Sequence, residues 1–288
     1  MRPNVTLISE ATVAQLPAGA SVELKAPCVI TPAARELARQ KGIDLRHPAG
    51  APGEPPSGRD ARVRDRAAAG THPLAACIDS TLLAAQATPA QVAALAEEAS
   101  RLGFAAVCVN PLLVSAAVRR GGVGVAAVCG FPLGATPSAI KAAEARLAES
   151  EGASEIDMVL PLGLLKAGQW RAVADDVATV RSALAGSATL LKVIIEAPLL
   201  TDEEVLQAAR VAMEAGAQFI KTGTGFCGAA LPGQVRLIRR AVGDRARIKA
   251  AGGVRDGRTA LALLDAGADR LGTSHAALVL ADGLRLLV

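Results

Sequence analysis

From residue 73 onward, short apolar runs alternate with amphipathic segments, with a repeat of roughly 25 to 30 residues. The amphipathic segments begin after capping residues such as Thr88, Thr136 and Thr201 and end at glycine, a pattern typical of helices. The apolar runs predict buried parallel strands. These runs are residues 74–78, 105–109, 123–128, 155–160, 189–195, 218–220, 247–250 and 269–271. Eight strands, each followed by a helix, predict an α/β fold, a (β/α)8 TIM barrel over residues 73–288.

The alternative arrangement of these elements is an open, doubly wound sheet. Such sheets usually carry a G-x-G-x-x-G motif after the first strand, and this chain has none there. The pattern therefore favours the closed barrel.

Residues 1–48 predict a small N-terminal extension with one helix. Thr31 is a good N-cap, Pro32 suits the first helical position and Gly42 is a good stop, so we expect a helix from about residue 32 to 41. A single helix of this length is too small to hold a core alone. Residues 49–72 are rich in Pro, Gly and Arg and predict a flexible linker.

Composition narrows the class of protein. Hydrophobic residues make up 51% of the chain, but it has no Tyr, one Trp and four Phe, which suits a barrel filled with small and branched side chains. The net charge of +4 forms no continuous basic stripe, so we expect no nucleic-acid partner. No signal peptide or membrane span is indicated. Five cysteines without a C-x-x-C pair favour reduced thiols in the cytoplasm, and we expect no metal or cofactor.

Two of the predicted strands lead into a lysine followed by glycine-rich sequence. The first is QFIKTGTG around Lys221, and the second is RIKAAGGVR around Lys249. In a barrel the carboxyl ends of all strands meet at one mouth, so polar residues there come together. We place the following polar residues at these ends: Asp79, Cys108, Asn110, Asp157, Lys192, Glu196, Lys221, Lys249 and Ser274. For any single residue, a salt-bridged side chain at the rim is the alternative.

A pair of lysines beside an aspartate predicts Schiff-base chemistry. A lysine amine attacks a carbonyl only when neutral, and its reference pKa of about 10.4 leaves little free amine near pH 7. A neighbouring ammonium and burial lower that pKa. The imine that forms acidifies the adjacent carbon, and a carboxylate such as Asp157 then moves protons. Physical reasoning leaves open whether Lys221 or Lys249 is the nucleophile.

Glycines follow each of the last three predicted strands. Loops in this position are the usual phosphate site of barrels, because bare backbone N–H groups and helix N-termini bind an oxyanion. Turn formation alone is the alternative. The predicted phosphate-binding residues are Gly225, Gly252, Gly253, Gly272 and Ser274.

Eight short motifs together resemble those of the deoxyribose-phosphate aldolases, which are class I aldolases. The resemblance runs from about residue 73 to near the C-terminus. The motifs are IDST (78–81), VCVNP (107–111), GFPLGA (130–135), EIDMV (155–159), KVIIE (192–196), FIKTGTGF (219–226), IKAAGGVR (248–255) and RLGTS (270–274).

This resemblance implies a role for each matching position. Lys221 forms the Schiff base, Lys249 lowers its pKa, and Asp157 with a bound water shuttles protons. Asp79, Cys108, Lys192 and Thr224 line the substrate pocket. The implied reaction is the reversible, metal-free cleavage of 2-deoxy-D-ribose 5-phosphate, a phosphorylated sugar, to acetaldehyde and D-glyceraldehyde 3-phosphate.

The chain departs from the family pattern at several positions. Ser80 stands where many members carry His, Gly223 replaces a commoner Ser, His275 stands where Ser is usual, and the C-terminal tyrosine of some members is missing. Two other hypotheses therefore stay open: a class I aldolase with a different acceptor aldehyde, and a catalytically silent barrel that binds phosphosugars as a sensor or scaffold.

The front segment ITPAARELARQKGIDL (30–45) resembles short helical tags of proteins linked to bacterial microcompartments. This resemblance implies cargo docking to a microcompartment shell, or to another partner, through residues 1–48. An ordinary extension or a small docking element is the alternative. Barrels of this kind often pair, so a homodimer is a further expectation.

Overall fold

Residues 6–23, 28–46 and 72–287 are described by a computed structural model. Within residues 72–287, eight parallel strands close into a barrel in chain order, and the last strand pairs with the first. The strands are Ile78–Leu82 (β5), Ala106–Val109 (β6), Gly124–Cys129 (β7), Glu155–Val159 (β8), Leu190–Ile194 (β9), Phe219–Lys221 (β10), Arg247–Ala251 (β11) and Arg270–Thr273 (β12), and the labels β1–β4 belong to the N-terminal strands given below. The predicted (β/α)8 barrel is confirmed.

Helices surround this barrel and run antiparallel to its strands, as the connections require. Capping boxes begin two of the helices, with Thr88 paired to Gln91 and Thr201 paired to Glu204. The helices of residues 72–287 are Pro89–Leu102 (α3), Val114–Val118 (α4), Ser138–Ser150 (α5), Leu162–Lys166 (α6), Trp170–Ala183 (α7), Asp202–Glu214 (α8), Pro232–Val242 (α9), Gly257–Asp265 (α10) and Ala276–Leu287 (α11), where α1 and α2 are N-terminal.

The first barrel strand lies four residues later than the sequence predicts. The apolar run 74–78 forms a 3-10 turn at Ala75–Cys77, and Leu74 is buried against Gly283 of α11. A short apolar run is compatible with either conformation, so the pattern alone placed the strand too early. As a result Asp79 is the second residue of β5 and lies inside the barrel instead of after a strand.

A continuous apolar core fills the space between the strands and the helices. It consists mainly of Ala, Val, Leu and Ile, as the composition predicts. The interior of the barrel differs from this core because several of its inward-facing side chains are charged.

The N-terminal unit is a repeat of two strand–helix–strand halves. Its elements are Thr6–Ile8 (β1), Glu10–Ala14 (α1), Ser21–Glu23 (β2), Cys28–Ile30 (β3), Pro32–Gln40 (α2) and Asp44–Arg46 (β4). Strand β1 pairs with β3 and β2 pairs with β4, both parallel. The predicted helix is present as α2, capped by Thr31, and the structure adds the short helix α1, capped by Ser9.

The two halves share a small core of their own. Its members are Ile8, Val13, Ile30, Ala34, Ala38 and Ile43. The single predicted helix, α2, thus gains packing partners from the first half of the repeat, which the sequence pattern did not predict. Apart from its last residue, the predicted linker (49–72) lies outside the described residues and stays a prediction.

In the described residues, a carboxylate at the end of α10 joins the N-terminal unit to the barrel. The buried Thr31 hydroxyl donates to Asp265 Oδ1, and the backbone N–H groups of Glu10 and Ala33 donate to the same carboxylate. Since α10 runs away from the barrel mouth, its last residue lies at the opposite end of the barrel from the mouth. In the ranges the structure describes, no helix is long and apolar enough to cross a membrane.

Candidate active site

Seven ionisable side chains inside the barrel form a single group, here called the charged cluster. Side chains two residues apart on a strand point to the same side, which directs both Glu155 and Asp157 of β8 inward. The cluster comprises Asp79, Glu155, Asp157, Lys192, Lys221, Lys249 and Arg270, and none of these side chains is more than 12% exposed.

Asp157 is the hub of the charged cluster. Its Oδ1 lies 2.5 Å from Lys192 Nζ, and its Oδ2 lies 2.9 Å from Lys221 Nζ and 2.8 Å from Lys249 Nζ. Burial alone would raise the pKa of this carboxyl, but the three ammonium groups outweigh burial and hold the pKa well below its usual range. Asp157 is therefore an ionised acceptor for all three lysines.

Two of these lysines are each held between carboxylates. Lys249 Nζ lies 2.6 Å from Asp79 Oδ2 as well as near Asp157, and Lys192 Nζ lies 2.5 Å from Glu155 Oε2. Burial alone would lower the pKa of each amine, yet the neighbouring carboxylates raise the pKa of Lys192 and raise that of Lys249 well above its usual value. Lys192 and Lys249 are thus permanent cations in the neutral pH range.

Lys221 has a different environment. Within the described barrel its one carboxylate contact is Asp157, and it is the one cluster lysine that lines a cavity at the mouth, of about 380 Å³. Its nitrogen and that of Lys249 contact the same oxygen of Asp157, so the two amines lie close together. The arrangement therefore presents one amine to a ligand, with a fixed ammonium beneath it.

The glycines predicted to hold phosphate converge on this cavity. Helix α11 begins directly behind the loop after β12, so its N-terminal N–H groups face the same space. All five predicted positions line the cavity: Gly225, Gly252, Gly253, Gly272 and Ser274. Arg255 and His275 line it too and add cationic and hydrogen-bonding groups, and the GGVR motif is the signal that points to Arg255.

Space and backbone conformation favour glycine at two of these positions. A Cβ at Gly252, whose φ is +110°, would lie 2.7 Å from the Gly228 carbonyl oxygen. A Cβ at Gly272 would lie 3.1 Å from Lys249 Cε. Bare backbone at these positions keeps the loop open toward the cavity and leaves room for the Lys249 side chain.

Three residues predicted to line the substrate pocket lie beneath it instead. Asp79, Cys108 and Lys192 are fully buried and do not reach the cavity. Burial raises the pKa of the Cys108 thiol, whose Sγ lies 3.8 Å from Asp157 Oδ2, so Cys108 is neutral. Beneath the cavity, Asp79 contacts Lys249, while Cys108 and Lys192 contact Asp157.

Thr224 lies at the cavity, as predicted, but its hydroxyl is already engaged. It donates to Glu196 Oε2 over 2.6 Å, and the Thr224 N–H donates to Glu196 Oε1 over 3.1 Å. Glu196 is fully buried and has a φ of +55°, the one non-glycine positive φ in the described ranges. Such strain outside glycine persists where the surrounding structure fixes it, often at functional sites.

Sequence reasoning missed Glu155 and Arg270, and it gave no role to Glu196, which it placed at the carboxyl end of a strand. Glu155 and Arg270 belong to the charged cluster, and Glu196 fixes the loop after β10. The strand alternation two residues before Asp157 is the signal that would have identified Glu155. In the described residues, no group of His, Cys, Asp and Glu side chains is placed to hold a metal ion.

Comparisons with known proteins agree with this geometry. Residues 73–275 match the family described as DeoC/LacD family aldolase. A deoxyribose-phosphate aldolase from Nocardia farcinica is 51% identical over 212 residues, covering 73% of this chain and 94% of the relative. A deoxyribose-phosphate aldolase from Deinococcus radiodurans is 51% identical over 205 residues, covering 70% of this chain and 92% of the relative.

A solved structure gives the same result for the fold. The deoxyribose phosphate aldolase of Aeropyrum pernix, described as having a unique tetrameric structure, is 35% identical, with a TM-score of 0.69 over 75% of this chain and 92% of that chain. The N-terminal unit lies outside the family match, which starts at residue 73. From residue 73 to residue 275, the chain belongs to the DeoC/LacD family of aldolases.

Proposed function

We propose that this chain catalyses the reversible cleavage of 2-deoxy-D-ribose 5-phosphate to acetaldehyde and D-glyceraldehyde 3-phosphate through a Schiff base on Lys221. The named activity of relatives with about half of their residues identical supports the reaction. The observation that carries the choice of nucleophile is that Lys221, among the cluster lysines of the described barrel, lines the cavity. Lys192 and Lys249 are fully buried below it.

The first step is the attack of the neutral Lys221 amine on the aldehyde carbon of the open-chain sugar. The carbinolamine loses water to give an iminium ion at C1, which accepts the electron pair of the C2–C3 bond as that bond breaks and becomes an enamine. The hydroxyl that loses its proton becomes the aldehyde of glyceraldehyde 3-phosphate. The enamine left behind is protonated at carbon, and hydrolysis then releases acetaldehyde and the free amine.

Lys249 and Asp157 have complementary roles in this scheme. Lys249 places a permanent positive charge beside the Lys221 nitrogen. Asp157 Oδ2 contacts both nitrogens, which orients the Lys221 amine and offers a proton acceptor for the carbinolamine step.

The substrate phosphate belongs to the glycine-lined part of the cavity. The backbone N–H groups around Gly252 and Gly253, together with the start of α11, suit a dianion. Arg255 and His275 lie on the same side, where Arg255 adds positive charge and His275 adds a hydrogen-bonding ring. Binding energy from the phosphate would hold the aldehyde end of the sugar against Lys221.

Borohydride reduction in the presence of acetaldehyde, followed by peptide mass mapping, tests the nucleophile. We expect one reduced two-carbon adduct, on Lys221, and none in the Lys221→Met variant. Lys166→Met, a change at an exposed surface lysine, is the matched control and should trap like the native chain. An adduct on Lys249 or Lys192 would overturn the assignment, and the lack of any adduct would favour a catalytically silent barrel.

The acceptor aldehyde is tested separately. Because residue 223 is glycine, the Glu196 carboxylate has room beside it: a Cβ there would lie 2.7 Å from Glu196 Oε1.

We propose that glyceraldehyde 3-phosphate is preferred over unphosphorylated aldehydes because the glycine-lined part of the cavity binds its phosphate. Synthesis rates with a panel of phosphorylated and unphosphorylated aldehydes decide this point, and equal rates would contradict it.

The proposed partners of the chain concern its assembly. A second copy in a homodimer, and a microcompartment shell recognised through residues 1–48, stay predictions from the sequence. Sedimentation of the native chain and of a form lacking residues 1–70 tests pairing, and co-sedimentation of both forms with purified shell protein tests the tag. Equal co-sedimentation of both forms would exclude the tag.

A further inference from the structure

Two members of the charged cluster have no part in the mechanism above. Arg270 and Glu155 are the first residues of β12 and β8, so they lie at the closed end of the barrel, below the lysines. Neither lines the cavity, and neither contacts Lys221. Burying both charges has an energetic cost, because they are removed from water, so their presence here calls for an explanation.

Contacts connect these two residues to the nucleophile through alternating charges. Arg270 Nη1 lies 2.6 Å from Asp79 Oδ1 and 3.6 Å from Glu155 Oε1. One series of contacts then runs from Asp79 through Lys249 to Asp157, and the other runs from Glu155 through Lys192 to Asp157. Both series end at Lys221, which Asp157 holds.

The carboxylates of the cluster do not balance all of its cations. With every group ionised, the cluster has four cations and three carboxylates, a surplus of one positive charge. Arginine does not lose its proton in proteins. Lys192 and Lys249 each contact two carboxylates more closely than 3 Å, whereas Lys221 contacts one. Lys221 is therefore the cluster lysine with the fewest close carboxylate contacts.

One further cation lies at the closed end of the barrel: the exposed Arg247, on the same face of β11 as Lys249, has its guanidinium 4.2 Å from the centroid of the Phe219 ring, and Arg270 lies 5.5 Å from the same centroid. Cys108 of β6 is a neutral thiol beside Asp157. Ala126 and Val128 of β7 pack against it as apolar side chains. Among the buried side chains the charge balance is thus set by the seven residues of the cluster, and solvent screens the charge of the exposed Arg247.

We propose that Arg270 and Glu155 are positioning residues that set the charge balance of the cluster from the closed end of the barrel, and thereby the pH range in which the Lys221 amine is free to attack. The inference rests on the proposed function, because it concerns the same amine. Arg270 supplies the surplus cation, and Glu155 limits that surplus to one charge.

The test is the pH dependence of kcat/KM for cleavage of 2-deoxy-D-ribose 5-phosphate. The substrate is the same for every variant, so its own titration cancels between them. Arg270→Gln removes a cation, so the Lys221 amine keeps its proton to higher pH and the acidic limb moves to higher pH. Glu155→Gln removes an anion, so the limb moves to lower pH. Each shift should be on the order of one pH unit, the effect of a unit charge about 10 Å away at an effective dielectric of about 20.

Two further variants separate charge from packing. Arg270→Lys keeps the charge and should keep the acidic limb of the native profile. The double variant Arg270→Gln with Glu155→Gln removes one charge of each sign and should return the limb toward its native position. Thermal unfolding identifies any variant that fails to fold, and if Arg270→Gln does not fold, the shift of Glu155→Gln alone decides.

Opposite shifts of the two single variants, cancelled in the double variant, would support the proposal. Shifts in the same direction, or lower kcat/KM with an unmoved limb in folded variants, would overturn it, since a merely structural role changes rate without moving the profile. If the native chain forms no acetaldehyde adduct on Lys221, the proposed function itself has failed, and that result is separate from these shifts.

Discussion

At the scale of the residue, Asp157 is the side chain that connects the three lysines of the site. One carboxylate contacts three lysine amines, and burial is tolerated because each charge has a partner. Its ionised form is what keeps the two amines of Lys221 and Lys249 beside each other.

The variant Asp157→Asn should therefore lose both stability and activity. It leaves buried ammonium groups without their shared anion, which costs about 3–5 kcal/mol of unfolding free energy. Loss of the proton acceptor should lower kcat by at least about 100-fold. Urea unfolding and steady-state cleavage rates measure the two effects.

The matched control for that change is Asp175→Asn. Asp175 forms an exposed ion pair with Arg171 on α7, so its loss should change stability by no more than about 1 kcal/mol and leave turnover unchanged. Native-like turnover in Asp157→Asn would contradict the role assigned to this carboxylate.

Single residues differ in how far the sequence could identify them. Lys221 and the phosphate-binding glycines follow from the pattern of an apolar strand ending in a lysine and glycines, which is local in the sequence. Glu155 and Arg270 do not, because the sequence offers no rule for which distant strands supply their partners. The conformation of Glu196 could not be predicted, because it has a positive φ and a sequence indicates positive φ mainly where glycine stands.

At the scale of the element, the connection between β9 and α8 holds the loop after β10. Glu196 adopts its strained conformation and directs its carboxylate to the N–H and hydroxyl of Thr224. Thr224 Oγ1 in turn accepts from the Phe226 N–H over 3.1 Å. The glycine-rich loop is thereby fixed from a neighbouring strand and not only by its own sequence.

Replacing Glu196 with Asn tests this connection. Asn tolerates the left-handed conformation but is one methylene shorter, so the contacts to Thr224 are lost while the backbone is retained. Buried donors left unpaired cost about 1–3 kcal/mol, and the loosened loop should raise KM for 2-deoxy-D-ribose 5-phosphate about tenfold. Acetaldehyde trapping on Lys221 should persist, because acetaldehyde carries no phosphate.

Glu204→Asn is the control for this variant. Glu204 lies in the same connection but caps α8 and pairs with Lys166 at the surface, so its loss should leave KM unchanged. Equal KM values in native and Glu196→Asn proteins would show that the loop does not depend on Glu196.

Elements with strong local signals were the ones that the sequence predicted well. Helix α2 was expected over about residues 32–41 and is found at Pro32–Gln40, because Thr31 and Pro32 define its start. The five-residue helix α1 and the 3-10 turn at Ala75–Cys77 were not predicted, since both depend more on packing than on periodicity.

At the scale of the whole molecule, the charged cluster also predicts how stability depends on pH. Neighbouring cations lower the pKa of Asp79 and of Asp157 in the folded chain, despite burial, which alone would raise both. Their contribution is complete above the unfolded aspartate pKa of about 3.9 and is lost as pH falls below it. Lys192 and Lys249 have raised pKa values, so their contribution persists until the pH rises above about 10.4.

Calorimetry across pH should therefore show a thermal midpoint that changes little between about pH 5 and pH 9 and falls below about pH 4. Each kcal/mol lost lowers the midpoint by about 2–4 °C for a domain of this size. A midpoint that stays level down to about pH 2 would contradict the lowered pKa values.

The two parts of the chain meet at a place that the sequence did not reveal. The extension and the linker were predicted from composition, but Thr31 and Asp265 are 234 positions apart, and neither residue type signals a contact. The docking point lies at the end of α10, away from the cavity, so the N-terminal unit leaves the mouth of the barrel open.

This geometry predicts that docking of the N-terminal unit and catalysis are separable. Asp265→Ala removes an acceptor for one hydroxyl and two backbone N–H groups, and it should weaken docking by about 1.5–3 kcal/mol. We expect faster amide hydrogen exchange in α2 and at the end of α10, with kcat/KM unchanged. Asp244→Ala, at an exposed site, should change neither the exchange nor kcat/KM.

A chain lacking residues 1–70 should likewise retain turnover, because every residue of the charged cluster and of the cavity lies in the barrel. Lost turnover in the truncated chain would show that the N-terminal unit supports the active site from the far end of the barrel. Unchanged exchange in Asp265→Ala would show that the unit is held by other contacts.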